Sequence, residues 1–258
     1  MLSDNYLIDE SNFVIMPAIR VRICFFLILT CGGYSGFGQY TGLGSWNIVN
    51  LKYGIDKSWS VFGEAQLRSL TFYNTFHYYE YKAGVNYKVL PNVKLSLGFG
   101  KYITYKEGGN FKLPKNNDEF RLWPQLVLSQ SIGKFKIEQR YRAELRFTSN
   151  GYRNRYRYRL GASLPFGNEK NGYSPFLLSA SNELFFTNKD PYFERNRLML
   201  SLNYKLSPQV SFQLGYIHQF DNRINDETGR DFLLTGIFIE LNRKTKHKET
   251  SDFELKDN

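Results

Sequence analysis

Between Phe135 and Phe147 apolar and charged residues alternate almost without interruption. One row reads Phe135, Ile137, Gln139, Tyr141, Ala143, Leu145 and Phe147, and the other Lys136, Glu138, Arg140, Arg142, Glu144 and Arg146. A period of two sends these rows to opposite faces of a strand, whereas a helix would spread the same charges all round. The next segment repeats the scheme, with Tyr156, Tyr158, Leu160, Ala162 and Leu164 opposed to Arg155, Arg157, Arg159, Gly161 and Ser163. Followed along the chain, the pattern predicts strands at 44–54, 59–70, 77–88, 93–105, 119–131, 135–147, 154–166, 174–186, 193–206, 210–220 and 230–242. Most exceed the usual five or six residues and suit the roughly 9 to 11 that cross a membrane with tilt.

The connections carry a second signal. Turn residues make short links at Asp56-Lys57-Ser58, Leu90-Pro91-Asn92, Gly133-Lys134 and Ser207-Pro208-Gln209, and longer polar links alternate with them at Lys106 to Asp118, Thr187 to Tyr192 and Asp221 to Gly229. Short turns on one side and long loops on the other are what membrane barrels show. The expected fold is therefore all-β, an antiparallel transmembrane β-barrel of 10 to 12 strands. Eleven predicted strands conflict with an even-numbered antiparallel closure, which favours 12 over 10 through one strand not yet recognised.

Composition moves the picture in the same direction. Aromatic residues make up 17% of the 258, yet mean hydropathy is negative, as expected for aromatic girdles around a polar interior. The formal charge of +10 would suit nucleic acid. Here, however, the arginines sit in strand alternation among Glu and Gln instead of forming a patch in a recognisable module, so nucleic acid is not an expected partner.

At the N-terminus, Arg20 and Arg22 precede the apolar run Ile23 to Leu29, followed by the small-x-small triplet Gly36-Phe37-Gly38. This reads as a cleaved secretory signal, too short to span a bilayer as a helix. The acidic residues Asp4, Asp9 and Glu10 suit no n-region and point to Met16 as the start. The organisation expected is an N-terminal extension and signal peptide over 1–38, an outer-membrane barrel over 39–242 and a polar tail over 243–258. Cleavage after Gly38 would remove Cys24 and Cys31, leaving no thiol for a disulfide or a metal. A lipoprotein reading at Leu29-Thr30-Cys31 is weakened by the Thr before the Cys.

Alternation alone does not say whether the charged rows face water outside a soluble sandwich or inside a membrane barrel. The signal, the strand lengths, the alternating links and the missing cysteines together favour the barrel, since exported soluble β proteins commonly use disulfides. The inward rows then carry Glu64, Gln66 and Arg68; Glu80 and Lys82; Arg121; Arg140, Arg142, Glu144 and Arg146; Arg155, Arg157 and Arg159; Glu183; Arg195 and Arg197. In so narrow an interior these charges are expected to pair across the lumen. That makes a structural or interaction barrel with an Arg/Glu-filled lumen the first expectation. An Arg-lined, anion-favouring pore for small solutes such as phosphate or carboxylate is the alternative. Outer-membrane lipid and the barrel assembly machinery are the expected partners, and no cofactor is expected.

These residues resemble the domain-of-unknown-function 2490 family, exported outer-membrane barrels of Gram-negative bacteria. The resemblance rests on Trp46, Glu64, Arg68, Glu119-x-Arg121-x-Trp123-x-Gln125, Gln139-Arg140-x-Arg142-x-Glu144-x-Arg146, Arg153-x-Arg155-x-Arg157-Tyr158-Arg159, Asn182-Glu183-Leu184-Phe185 and Arg195-Asn196-Arg197. It implies the same barrel and location but supplies no activity.

A lipid-active enzyme is a second alternative and would need a positioned His. His247 lies in the tail, and His77 sits in the aromatic run Phe76-His77-Tyr78-Tyr79, which suggests an interfacial girdle. His218 shares parity with Phe212, Leu214 and Tyr216, with Asp221 or Ser211 as the only candidate partners. No two histidines cluster for a metal, and Gly98-x-Gly100 lies inside a strand with no helix after it to cradle a nucleotide. The expected catalytic set is empty.

Overall fold

The computed structural model describes residues 42–169, 173–222 and 228–243. The expectations for a signal peptide over 1–38, for Met16 as the start and for the tail beyond Arg243 lie outside the described residues. Among the described residues eleven strands follow one another: β1 (Leu43–Gly54), β2 (Trp59–Thr71), β3 (Asn74–Leu90), β4 (Val93–Lys106), β5 (Lys112–Ile132), β6 (Phe135–Thr148), β7 (Gly151–Phe166), β8 (Phe176–Thr187), β9 (Phe193–Lys205), β10 (Val210–Asp221) and β11 (Thr228–Asn242). Each pairs antiparallel with its sequence neighbours, and β1 and β11 join to close the barrel.

The closed barrel falls within the expected 10 to 12 strands, and its closure corrects only the preference for a twelfth. With eleven antiparallel neighbours in succession, the first and last strands run in the same direction. They pair in parallel, in unbroken register from Leu43↔Asp231 to Gly54↔Asn242. A parallel ladder is slightly weaker per residue but perfectly able to close a sheet. Register also keeps the faces continuous, since inward Trp46 lies beside inward Leu234 and outward Val49 beside Ile237. The even-number rule assumes an antiparallel seam, and this seam is not one.

The contrast between turns and loops is also smaller than the sequence suggests. β5 begins at Lys112, so the long polar link after β4 shrinks to residues 107–111. At the end of the barrel that holds this link, β2–β3 and β6–β7 connect through two residues each, 72–73 and 149–150. At the opposite, turn end, β7 and β8 are separated by residues 167–175. Polar composition predicted loops where the chain continues as strand, because an inward-facing polar row looks the same in either.

Local chemistry explains several boundaries. Asp56 ends β1 by accepting hydrogen bonds from the backbone N–H of Ser58 and Trp59, both at 2.7 Å, an Asx turn that reverses the chain. These two donors hold its exposed carboxyl below the usual range. Gly133 supplies φ +56° in the tight β5–β6 turn. Within β5, the β5–β6 register runs to Leu122↔Leu145 and resumes at Gln125↔Arg142. Pro124, which has no N–H to donate, lies in that gap.

The barrel is turned inside out relative to a soluble protein. Outward rows carry exposed apolar side chains, among them Leu97 at 52%, Leu200 at 52% and Leu214 at 57% exposure. Inward rows carry the buried charges, together with Trp46, Ile217, Phe232 and Leu234 packed against the inside of the seam. A second inward cluster joins Tyr78, Tyr102 and Trp123, with Phe62 against it. Glycine makes room for it, since a Cβ at Gly98 would lie 2.6 Å from the Trp123 ring.

Candidate functional site

The middle of the barrel is built around buried carboxylates, each shared by several arginines. Glu144, on β6, has a side chain with no exposure and sits 2.6 Å from Arg157 and 3.6 Å from each of Arg121, Arg142 and Arg155. Glu183, on β8, receives a two-pronged bond from Arg157, Nε and Nη2 both at 2.9 Å, and further contacts from Arg140 and Arg197. Glu119, on β5, is gripped by two guanidinium forks. Arg121 binds it at 2.8 and 2.9 Å, while Arg146 binds it through Nη2 at 3.0 Å and through Nε. Fork-to-fork geometry of this kind is both strong and directional.

The network continues around the wall. Arg155 holds Glu194 through Nε at 2.7 Å and Nη2 at 2.5 Å. Arg195 pairs with Asp221. Lys82 bridges Glu64 at 2.6 Å and Glu80 at 2.8 Å, and Arg68 reaches Glu80 at 3.3 Å. Arg142 takes a second acceptor in Gln125, and Arg197 in Gln219. Arginine at these positions does what lysine could not, because its planar group also stacks. Arg68 lies 3.3 Å above the Trp46 ring, Arg121 3.7 Å above Tyr102, and Arg157 and Arg197 within 4.8 Å of Phe185. Trp46 ties the halves together, donating its Nε1–H to Gln66 at 2.9 Å while Arg197 covers its ring at 4.6 Å.

Of the residues assigned to the inward rows by sequence, Arg159 alone lies apart, on a separate pair with Glu138 at 2.7 Å. The others form one web of contacts. Several members were absent from that assignment. Glu119 was legible from its parity with Arg121. Glu194 was hidden, because the β8–β9 register passes from Phe185↔Arg195 to Phe186↔Phe193 and leaves it as an extra, bulged residue. Strict alternation would have sent it outward, opposite to Arg195.

The histidines also differ from expectation. His77 is no girdle residue: Arg68↔Tyr78 is followed by Ser69↔Phe76, so His77 is a bulged residue of β3, 9% exposed, on the wall of the interior. His218 faces outward as its parity indicated, but its partner is neither Asp221 nor Ser211. Its Nδ1 is 2.7 Å from Asp231, which also accepts from the Tyr216 hydroxyl at 2.5 Å. Asp221 instead serves Arg195 inside. Among the described residues no serine joins His218 and Asp231 to complete a nucleophilic arrangement. Among the described residues no group of three His, Cys, Asp or Glu could hold a metal ion.

Above the network, toward the end that carries the 107–111 link, the interior widens into a cavity of about 810 Å³. Twelve Lys and Arg line it against six Asp and Glu. A profile described as "Protein of unknown function (DUF2490)" matches residues 43–230, well over half of the chain and nearly the whole barrel. No curated protein and no solved structure matches it.

Proposed function

The chain belongs to the DUF2490 family, and from that premise we propose that it is an outer-membrane β-barrel of a Gram-negative bacterium, exported by a cleaved signal peptide. Its own side chains close it at mid-depth, and it acts as a structural or interaction barrel. The membrane placement is supported by the outward rows, where side chains such as Leu97, Leu200 and Leu214 stand half exposed around the wall. A soluble protein rarely shows so continuous an apolar surface, whereas lipid requires one. Outer-membrane lipid and the assembly machinery that inserts such barrels are then its partners.

The observation that carries the reading is the shared burial of Glu144 and Glu183. Their side chains are at most 5% exposed, and both are bound by Arg157, with further arginines completing the ring. Charges held in this way are committed to one another, so a passing ion would have to break several strong bonds to get through. The enzyme reading is not favoured, because among the described residues no serine stands in contact with the His218–Asp231 pair.

Two measurements test the proposal. Outer-membrane fractions run on a gel with and without boiling should give two mobilities for this chain. Equal mobilities, or recovery of the protein in the periplasm, would sink the barrel reading. Planar-bilayer recording should then be silent. A stable anion-selective conductance, reduced when Arg142 and Arg157 are neutralised, would replace the closed barrel with a pore.

A further inference from the structure

We infer that the cavity above the network is a binding site for a small soluble polyanion carrying two or more phosphate or carboxylate groups. This deepens the proposed function, since it gives an interaction barrel something to bind. Three observations support it.

The first is charge. The wall's cations outnumber its carboxylates two to one, and the low-dielectric barrel wall focuses such a field at the mouth. The surplus includes Arg153, at the start of β7, and Lys189, in the 188–192 link. Neither has a carboxylate partner among the described residues, and both line the cavity.

The second is unused hydrogen-bonding capacity. His77 Nδ1, Arg68 Nε and the Tyr102 hydroxyl are buried without a partner. Their residues are 9%, 9% and 3% exposed, and all three line the same cavity. Buried polar atoms in native proteins are nearly always satisfied, so three orphans on one wall mark a place where a ligand completes the bonding. Two of them are donors as drawn, and His77 Nδ1 becomes one in the appropriate tautomer.

The third is size and valence. About 810 Å³ is the volume of a small-molecule site. Most wall arginines already hold a carboxylate, so a monoanion would only exchange one partner for another. A polyanion can instead bridge the unpaired cations at the rim and the orphan donors lower down. The Arg230–Glu107 ion pair links β11 to the 107–111 link across this end, so Glu107 opposes an entering anion.

The test uses the full chain extracted in detergent and first checked for heat-modifiable mobility. Pyrophosphate and citrate are titrated calorimetrically at constant ionic strength against chloride. Phosphatidic acid in the micelle serves as the lipid-headgroup arm. Saturable binding of pyrophosphate or citrate is expected, with no saturable binding of phosphatidic acid. Arg153→Gln/Lys189→Gln should weaken binding at least about tenfold, the worth of one charged hydrogen bond. Glu107→Gln should tighten it, giving two changes of opposite sign from substitutions at half-buried Arg153 and exposed Lys189 and Glu107, outside the buried network.

The site is overturned if neither soluble anion binds beyond the chloride control in a heat-modifiable protein, which leaves the barrel reading standing. Equal affinity in all variants, or binding of phosphatidic acid alone, also overturns it. If mobility does not depend on boiling, the barrel reading and the site fail together.

Discussion

Arg157 and Arg159 stand two residues apart on the same face of β7, and they lead different lives. Arg157 has an 11% exposed side chain and binds two carboxylates, Glu144 and Glu183, that are themselves at most 5% exposed. Arg159 is 27% exposed and has one partner, Glu138, exposed to a similar degree at 28%. The step between them, one strand repeat toward the turn end, separates a nearly fully buried network from a partly exposed pair. The inward rows of neighbouring strands show the same change. Glu119, Arg121 and Tyr102 lie toward one end, while Ser96, Ser179 and Ser201 with Gly161 and Gly215 take their places toward the other. Bulky charged and aromatic side chains make up the first region, the network and the wall of the cavity above it, and small ones make up much of the second. One barrel wall thus supports two interiors, and the difference lies in how many partners each charge has.

The largest effect expected from this comparison is at Glu183. Removing one partner of a buried ionic cluster leaves the remaining charges uncompensated, which costs about 3–5 kcal/mol. Glu183→Gln would leave Arg140, Arg157 and Arg197 competing for an amide oxygen, within about 3.5 Å of one another's acceptor. Urea unfolding in detergent, followed by the fluorescence of Trp46 and Trp123 inside the barrel, should show a loss of this size. A loss under about 1 kcal/mol would mean that water reaches the network and that the two regions are not different in kind.

How much of this was legible in the sequence follows from what period two can encode. Rows such as Arg140 to Arg146 declared their face directly, and ten of the predicted strands begin or end within a few residues of the observed ones; β5 alone begins seven residues early, at Lys112. Alternation encodes nothing about how the first strand meets the last, so the parallel seam of β1 with β11 was invisible. It also fails at bulges, which is why Glu194 and His77 escaped: each is the one extra residue that a strict repeat assigns to the wrong face or to a loop. The aromatic members were hidden for another reason. Alternation marks the face of Trp46, Tyr102 and Phe185 but says nothing of their partners, and only the stacked guanidinium groups reveal them as part of the charged site.

An intermediate effect is expected from crowding the aromatic cluster beside the network. A Cβ at Gly98 would fall 2.6 Å from the Trp123 ring, which is 1% exposed and has nowhere to retreat. Gly98→Val should therefore cost about 1–3 kcal/mol by overpacking. Gly161 makes the matching control, because a Cβ there finds its nearest atom at 3.5 Å, an ordinary contact. Gly161→Ala should unfold at nearly the same urea concentration as the parent. If both substitutions cost the same, the two interiors are equally tight and the contrast fails.

The smallest effect sharpens the comparison most. Arg159→Gln removes a pair whose partners are both more than a quarter exposed, and such pairs contribute about 0–1 kcal/mol because water replaces what is lost. Arg157→Gln removes two short bonds to Glu183 and one to Glu144 in a desolvated setting, where charged hydrogen bonds are worth about 1.5–3 kcal/mol each before the remaining arginines compensate. Measured side by side in urea, the two substitutions share a strand, a face and a chemical change, so backbone propensity and unfolded-state effects largely cancel. Salt adds a second axis. Raising ionic strength should erase what little Arg159→Gln costs and leave the cost of Arg157→Gln nearly unchanged, because screening acts on hydrated charges far more than on buried ones. Equal salt sensitivity in the two would place Arg157 in water as well.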